Sequence, residues 1–256
     1  VALLGEDDPR EDFVSNNLRR NVTKKYFYRA NSPTIVKKRY INHYSNQKLF
    51  EVNYLNDNYI NERQEEKVMK YIKTEAPKYD MVLVSDFGHG FITSRIIKAI
   101  QEFSRKYAVN TQTNAANTGY NMITKYKSPF FVCLDEGELR LAAQEKHTDI
   151  LTIAKKMKRR LKAENMIVTL GKTGSIGIGD NGEINRTPIF SSKVVDTIGT
   201  GDAFFAYTAP CFAIGMPLCL VSFIGNVVGA LAVQIVGNKK PVEKREVVEF
   251  IHNLLR

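Results

Sequence analysis

The chain is poor in cysteine and histidine, and the few it has are badly placed for metal or redox chemistry. Cys133, Cys211 and Cys219 are odd in number and far apart, with no Cys-x-x-Cys pair. That spacing suggests neither a disulfide framework nor a zinc site, and it fits a reducing cytoplasm. His43, His89, His147 and His252 stand in no ligand or triad spacing, so metalloenzyme and hydrolase readings find no support. Charge is missing altogether from Ala203 to Asn238. That run imitates a membrane hairpin, yet Pro210, Gly215 and Pro217 interrupt it, and Ser222, Asn226 and Gln234 would lie in lipid without purpose. Two buried helices packed on a sheet are expected instead, with no membrane partner. The chain opens at Val1 with neither a Met nor a basic-then-apolar leader, which gives the expectation of a processed product or an excised piece.

Acidic residues are the other absence, between Phe13 and Phe50. That segment carries nine cations, Arg19, Arg20, Lys24, Lys25, Arg29, Lys37, Lys38, Arg39 and Lys48, against a net charge of +10 for the whole chain. Tyr26, Phe27, Tyr28, Tyr40 and Tyr44 are interleaved with them. Three readings follow: a solvated sheet face whose charges discourage edge pairing, a surface for a phosphorylated small substrate, and, ranked last, a nucleic-acid surface with stacking aromatics.

At 256 residues, 43% hydrophobic and 25% charged, the chain is that of an ordinary globular protein. Residues 23–54 alternate in the manner of strands, with turns at Asn31-Ser32-Pro33 and Tyr44-Ser45-Asn46-Gln47. Beyond Asp57 the pattern alternates between helix (65–75, 93–107, 136–145, 150–163) and strand (81–85, 108–111, 130–133, 166–170). Such alternation predicts a parallel sheet with helices on both faces, and ligands beyond the carboxyl ends of its strands.

The most informative stretch is Val194-Val195-Asp196-Thr197-Ile198-Gly199-Thr200-Gly201-Asp202-Ala203-Phe204-Phe205. It reads as a strand, a tight loop and a helix start. Glycines let backbone approach a ligand, and the first amides of a helix favour an anion. A carboxylate at that spot would repel phosphate, so Asp202 reads as a base taking a proton from an attacking hydroxyl, with a four-residue cradle, the amides of Gly199, Thr200, Gly201 and Asp202, around the developing charge. An ordinary N-cap is the simpler alternative.

Other segments also leave two readings. Gly171-Lys172-Thr173-Gly174 follows the strand 166–170, but Met166 stands where a phosphate-binding P-loop needs its first glycine. A hairpin turn explains these glycines as well. Asp135-Glu136-Gly137-Glu138 places three carboxylates at a helix start, where they complement the dipole. Asp86 ends a strand, either facing a site or making an Asx turn, and the polar run Asn110-Thr111-Gln112-Thr113-Asn114 ends the next. Asn226 interrupts an apolar helix face, and a buried Asn capping a neighbouring loop would do the same.

The Asp-Thr-x-Gly-x-Gly-Asp sequence of 196–202 resembles the C-terminal signature of the ribokinase-like (PfkB) carbohydrate kinases. The resemblance covers about residues 23–242, and its flavour is that of the kinase half of bifunctional heptose-phosphate kinase and nucleotidyltransferase proteins. It implies a three-layer α/β core with a mostly parallel sheet and a small β lid, residues 14–58, within one domain, 1–256. It also implies phosphoryl transfer from ATP to a hydroxyl of a sugar or sugar phosphate. By resemblance, Asp202 is the base, and Thr169, Gly171, Gly174 and Asn226 meet the nucleotide. Glu138 and Asp135 match an Asn-x-x-Glu motif that positions Mg²⁺, with Asp replacing Asn. The first strands and a Gly-Gly sugar-binding segment of the family have no counterpart here. A homodimer through the lid, and a nucleotidyltransferase domain in a longer parent, are further expectations. The alternative function is a nucleotide-binding regulatory protein without turnover.

Overall fold

A computed structural model describes residues 1–42, 44, 48–114, 116–191 and 193–256. In chain order it begins with β1 (Ala2–Gly5), α1 (Glu11–Asn16), β2 (Tyr26–Arg29), β3 (Val36–Ile41) and β4 (Lys48–Tyr54). The alternating part follows as α2 (Glu62–Glu75), β5 (Val82–Asp86), α3 (Ser94–Phe103), β6 (Tyr107–Thr111), β7 (Phe131–Asp135), α4 (Glu136–Ala143), α5 (Ile150–Leu161) and β8 (Asn165–Thr169). It closes with β9 (Ser175–Ile178), β10 (Ile184–Thr187), α6 (Thr200–Ala213), α7 (Leu218–Ala232) and α8 (Lys244–Leu254).

The central sheet has the order β10-β9-β8-β7-β6-β5. Strands β5 to β8 are parallel, and β9 and β10 run antiparallel to their neighbours. Alternation within each buried strand decides the layering, since successive side chains leave opposite faces. Val132, Leu134, Met166 and Val168 pack with Ile97, Leu139, Ile153 and Met157 of α3, α4 and α5. Phe131, Cys133 and Ile167, one residue out of phase, pack with Phe204, Phe205, Ala209 and Val221 of α6 and α7. Phe131 meets the rings of Phe212 and Phe205 with centroids 4.7 and 6.0 Å away. Each side chain buried this fully contributes about 2 kcal/mol. The α/β/α layering expected from the sequence is therefore present, and the uncharged run 203–238 supplies α6 and α7. No helix among the described residues is long and apolar enough to cross a membrane.

Four local expectations need correction. The single β element over 23–54 is two structures. β2 pairs in parallel with β1, because Phe27 belongs to the core beside Tyr71 and Phe91, and only β3 and β4 form the antiparallel hairpin. The helix from residue 93 stops at Phe103 and Tyr107 opens β6, because extended Ser104 breaks the helix and Tyr107 is buried in the sheet. Val194 and Val195 form no strand. Val195 and Asp196 donate their amides to Val233 O at the end of α7, which draws the segment away from the sheet. Pro210 lies inside α6, and the break comes only at Gly215 and Pro217. Asn31 turns the chain with φ of 52°, as expected for that turn. Ser45, Asn46 and Gln47 of the second predicted turn lie outside the described residues, as does His43.

Candidate active site

The carboxyl ends of β6, β7 and β8 and the start of α6 open onto a cavity of about 420 Å³. Its lining includes Asn110, Gln112 and Thr113 after β6, Asp135 and Glu138 after β7, and Thr169 at the end of β8. Gly199, Gly201 and Asp202 close one side, and Lys37 and Arg39 of the β3–β4 hairpin reach in from another. A larger cavity of about 600 Å³ lies between β2 and α2; Lys25, Tyr26, Phe27 and Tyr28 of the basic segment line it, but none of the candidate catalytic, nucleotide or metal residues does.

Gly199 makes the entry to α6 possible. It is the N-cap with φ of 76°, and a β-carbon there would stand 2.2 Å from Asn238 Oδ1. The first amide of α6 to bond back is that of Ala203, to Gly199 O at 3.0 Å. The amides of Gly201 and Asp202 precede it and have no intrahelical acceptor. Thr200 N turns instead to Thr197 O at 3.3 Å, its hydroxyl is buried, and it is outside the cavity lining. The cradle is therefore narrower than the four-residue one expected. Asp196 shapes the loop: Oδ1 accepts from Ile198 N at 2.9 Å and Oδ2 from Gly237 N at 2.8 Å.

The half-buried Asp202 side chain accepts a hydrogen bond from Gln112 Nε2. Burial raises its pKa, while that bond and the charge of Lys37 oppose the rise. Lys37 is itself pushed down by burial, with Glu51 acting first against the shift. Arg39 pairs with Glu51 at 2.7 Å across the hairpin.

Asp135 and Glu138 form a capping box: Asp135 Oδ1 accepts from Glu138 N at 2.7 Å, and Glu138 Oε2 accepts from Asp135 N at 3.0 Å. Glu138 Oε1 accepts from Thr113 N at 3.1 Å. Burial, then the charge of Asp135, pushes the Glu138 carboxyl up to about 7. Beside them the buried Asn110 gives its amide to Cys133 O at 2.9 Å, and its Oδ1 has no partner. An unpaired buried oxygen beside two carboxylates is a donor set suited to a hard cation that keeps most of its waters. Among the described residues no cluster of three acidic, His or Cys side chains could enclose a metal alone.

Of the residues linked to a nucleotide, only Thr169 lines this cavity. Gly171 and Gly174 build the turn joining antiparallel β8 and β9. Asn226 is buried, donating to Ser175 Oγ at 2.7 Å and Ser222 O at 2.8 Å, which pins α7 to β9. Asp86 makes an Asx turn with Gly88 N at 3.0 Å and an ion pair with Lys125 at 2.7 Å, buried behind the site. Sequence reasoning left Gln112 without a role and had no ground for Asn110 or Asn238. The polar run at the end of β6 was the only signal for the first two.

The basic segment does not make one continuous surface. Arg29 is buried, donating to His89 O at 2.9 Å and to Asn56 O, and Arg19 pairs with Glu243.

A family model described as pfkB family carbohydrate kinase matches residues 1–245. The bifunctional protein HldE of Wolinella succinogenes is 27% identical over 224 residues, covering 86% of this chain and 46% of that protein. This chain spans about half the length of the curated relatives it matches. Among solved structures, phosphofructokinase-2 from Escherichia coli in complex with potassium superposes with a TM-score of 0.79 at 15% identity, covering 99% of this chain and 81% of that one. Arabidopsis thaliana ribokinase complexed with ribose and ATP gives 0.72 at 18%, covering 98% and 80%. These likenesses share the fold described above.

Proposed function

This chain belongs to the pfkB family of carbohydrate kinases, and from that premise we propose that it transfers the γ-phosphoryl group of ATP to a hydroxyl of a sugar phosphate. The ribokinase-like fold and the likeness to bifunctional heptose kinase and nucleotidyltransferase proteins, both read from the sequence, are borne out. The enzyme class of the family, a sugar-kinase phosphotransferase, is likewise the one expected.

One observation carries the reading: Lys37 and Arg39 line the same cavity as Asp202. Two cations facing a carboxylate suit an acceptor that brings a phosphate to the hairpin and a hydroxyl to the base. Asp202 takes the hydroxyl proton as the oxygen attacks, and the amides of Gly201 and Asp202 hold charge on the transferred group. Asp135 and Glu138, with Asn110 Oδ1, would hold Mg²⁺ through its waters. The ion supplies neutralisation of the polyphosphate. Thr169 and the β8–β9 turn bound the nucleotide end in this reading.

The proposal extends to assembly. Exposed Tyr40, Ile41, Leu49, Phe50 and Tyr54 on the hairpin support a homodimer through the lid, and the length of the relatives supports a nucleotidyltransferase domain in a longer parent. Release of ADP from Mg²⁺-ATP, screened against sugars and sugar phosphates, tests the function. Turnover with a sugar phosphate, abolished without Mg²⁺, is expected. ATP binding with no acceptor-dependent release would instead indicate a regulatory protein.

A further inference from the structure

We propose that Gln112 is a positioning residue for Asp202: its side-chain amide grips one carboxylate oxygen and leaves the other to receive the acceptor's proton. The inference rests on the kinase reading above, in which Asp202 is the base.

Three observations lead there. First, the contact joins residues 90 positions apart, from the end of β6 to the first turn of α6, and both line the cavity. A carboxylate only accepts, so the Gln112 side chain must present its nitrogen to Asp202 Oδ1. Second, the backbone of Gln112 is fixed without help from that side chain. Its amide donates to Asp86 O at 2.9 Å, and its carbonyl accepts from Asn121 Nδ2 at 3.1 Å and Asn117 Nδ2 at 3.4 Å. Third, this anchorage is itself braced. Asp86 Oδ2 takes Tyr126 OH and Lys125 Nζ, both at 2.7 Å, and Asp86 O takes Asn121 Nδ2 at 2.8 Å. The loop does not need the side chain, so the bond to Asp202 serves the carboxylate.

The next residue extends the arrangement, because Thr113 N donates to Glu138 Oε1 at 3.1 Å. One dipeptide leaving β6 thus holds both the base and the carboxylate suited to Mg²⁺. A base fixed in one rotamer meets the attacking hydroxyl without searching, which is where positioning contributes to rate.

The charged groups around Asp202 are Lys37 and Arg39 from β3 and Asp135 and Glu138 at the start of α4. The Gln112 bond and Lys37 act together against the upward pull of burial. Removing the amide therefore moves the ionisation of Asp202 upward, and replacing it by a carboxylate moves it further.

The test is titration of the native chain, Gln112→Met and Gln112→Glu by NMR of 13C-labelled aspartate carboxyls. The Asp202 signal is the one missing from Asp202→Asn. The midpoint is expected to rise from native to Gln112→Met and again to Gln112→Glu, in variants whose melting curves stay cooperative. In the ADP-release assay with Mg²⁺-ATP and the sugar phosphate turned over fastest, kcat should fall by about 10- to 100-fold. Its low-pH limb should move upward, with KM for ATP unchanged. An Asp202 midpoint unmoved in either folded variant would overturn the proposal. Absence of ADP release by the native chain would instead defeat the kinase reading, and it would leave the titration result standing by itself.

Discussion

Glu138 accepts the backbone N–H of Thr113 at 3.1 Å, which ties the first turn of α4 to the chain leaving β6. Its second oxygen accepts Asp135 N at 3.0 Å. The two bonds hold the carboxylate in place, yet burial and the neighbouring charge of Asp135 keep its pKa near 7, above the ordinary 4.5.

A pH dependence of stability follows. A carboxyl raised in the folded state stabilises fully below its unfolded pKa, and that contribution is lost as pH rises through the folded value. Glu138→Gln keeps the capping box, since Gln serves at that position, and removes the titration. Between about pH 4.5 and 7, the melting temperature of the native chain should fall relative to Glu138→Gln. Parallel curves across that window would contradict the burial argument. With Mg²⁺ present, Glu138→Gln should also need more Mg²⁺ for half-maximal turnover.

Lys37 and Arg39 carry the acceptor argument. Lys37→Ala and Arg39→Ala should each raise KM for a sugar phosphate by roughly 10- to 100-fold, as expected for losing a charge-assisted hydrogen bond. The unphosphorylated sugar should be affected far less. Equal losses for both acceptors would remove the phosphate from the hairpin's role.

Two glycines differ in a way that denaturation can measure. Gly174 has φ of 97°, and an added β-carbon would stand 2.0 Å from Thr187 O, a backbone atom of β10. At Gly199 the obstacle is the end of the Asn238 side chain at 2.2 Å, which can turn away. Both alanine variants carry the strain of a positive φ, about 1–3 kcal/mol, and Gly174→Ala should add a clash that cannot relax. Urea unfolding should therefore show Gly174→Ala as clearly the less stable, and equal midpoints would contradict this.

The sequence made β5 to β8 legible as short apolar runs between helical periods, and β6 to β8 are buried nearly throughout, whereas the antiparallel β9 and β10 were not among the strands expected. The layering follows from one-residue alternation, as between Leu134 and Cys133. What it concealed was context. Tyr26-Phe27-Tyr28 reads as part of a lid until Phe27 is seen in the core. Val194-Val195 looks like a strand, although the amides of Val195 and Asp196 donate to Val233 O at the end of α7. Asp202, Gly199 and Gly201 were legible because a helix start with two glycines constrains its own backbone. Gln112 and Asn110 were not, because their meaning depends on Asp202 and Cys133, 90 and 23 positions away, and no local pattern encodes such contacts. Gly171, Gly174 and Asn226 have sufficient structural reasons of their own, which is why their residue types alone did not decide between turn, packing and ligand.

The central claim is that Asp202 is the proton acceptor of phosphoryl transfer. Its most direct test compares the native chain with Asp202→Asn in single-turnover transfer from Mg²⁺-ATP to the sugar phosphate found active, with ATP affinity measured alongside. Transfer should fall by at least ~100-fold, the scale of losing a general base, while ATP binds as before. Transfer by Asp202→Asn at the native rate would contradict the account.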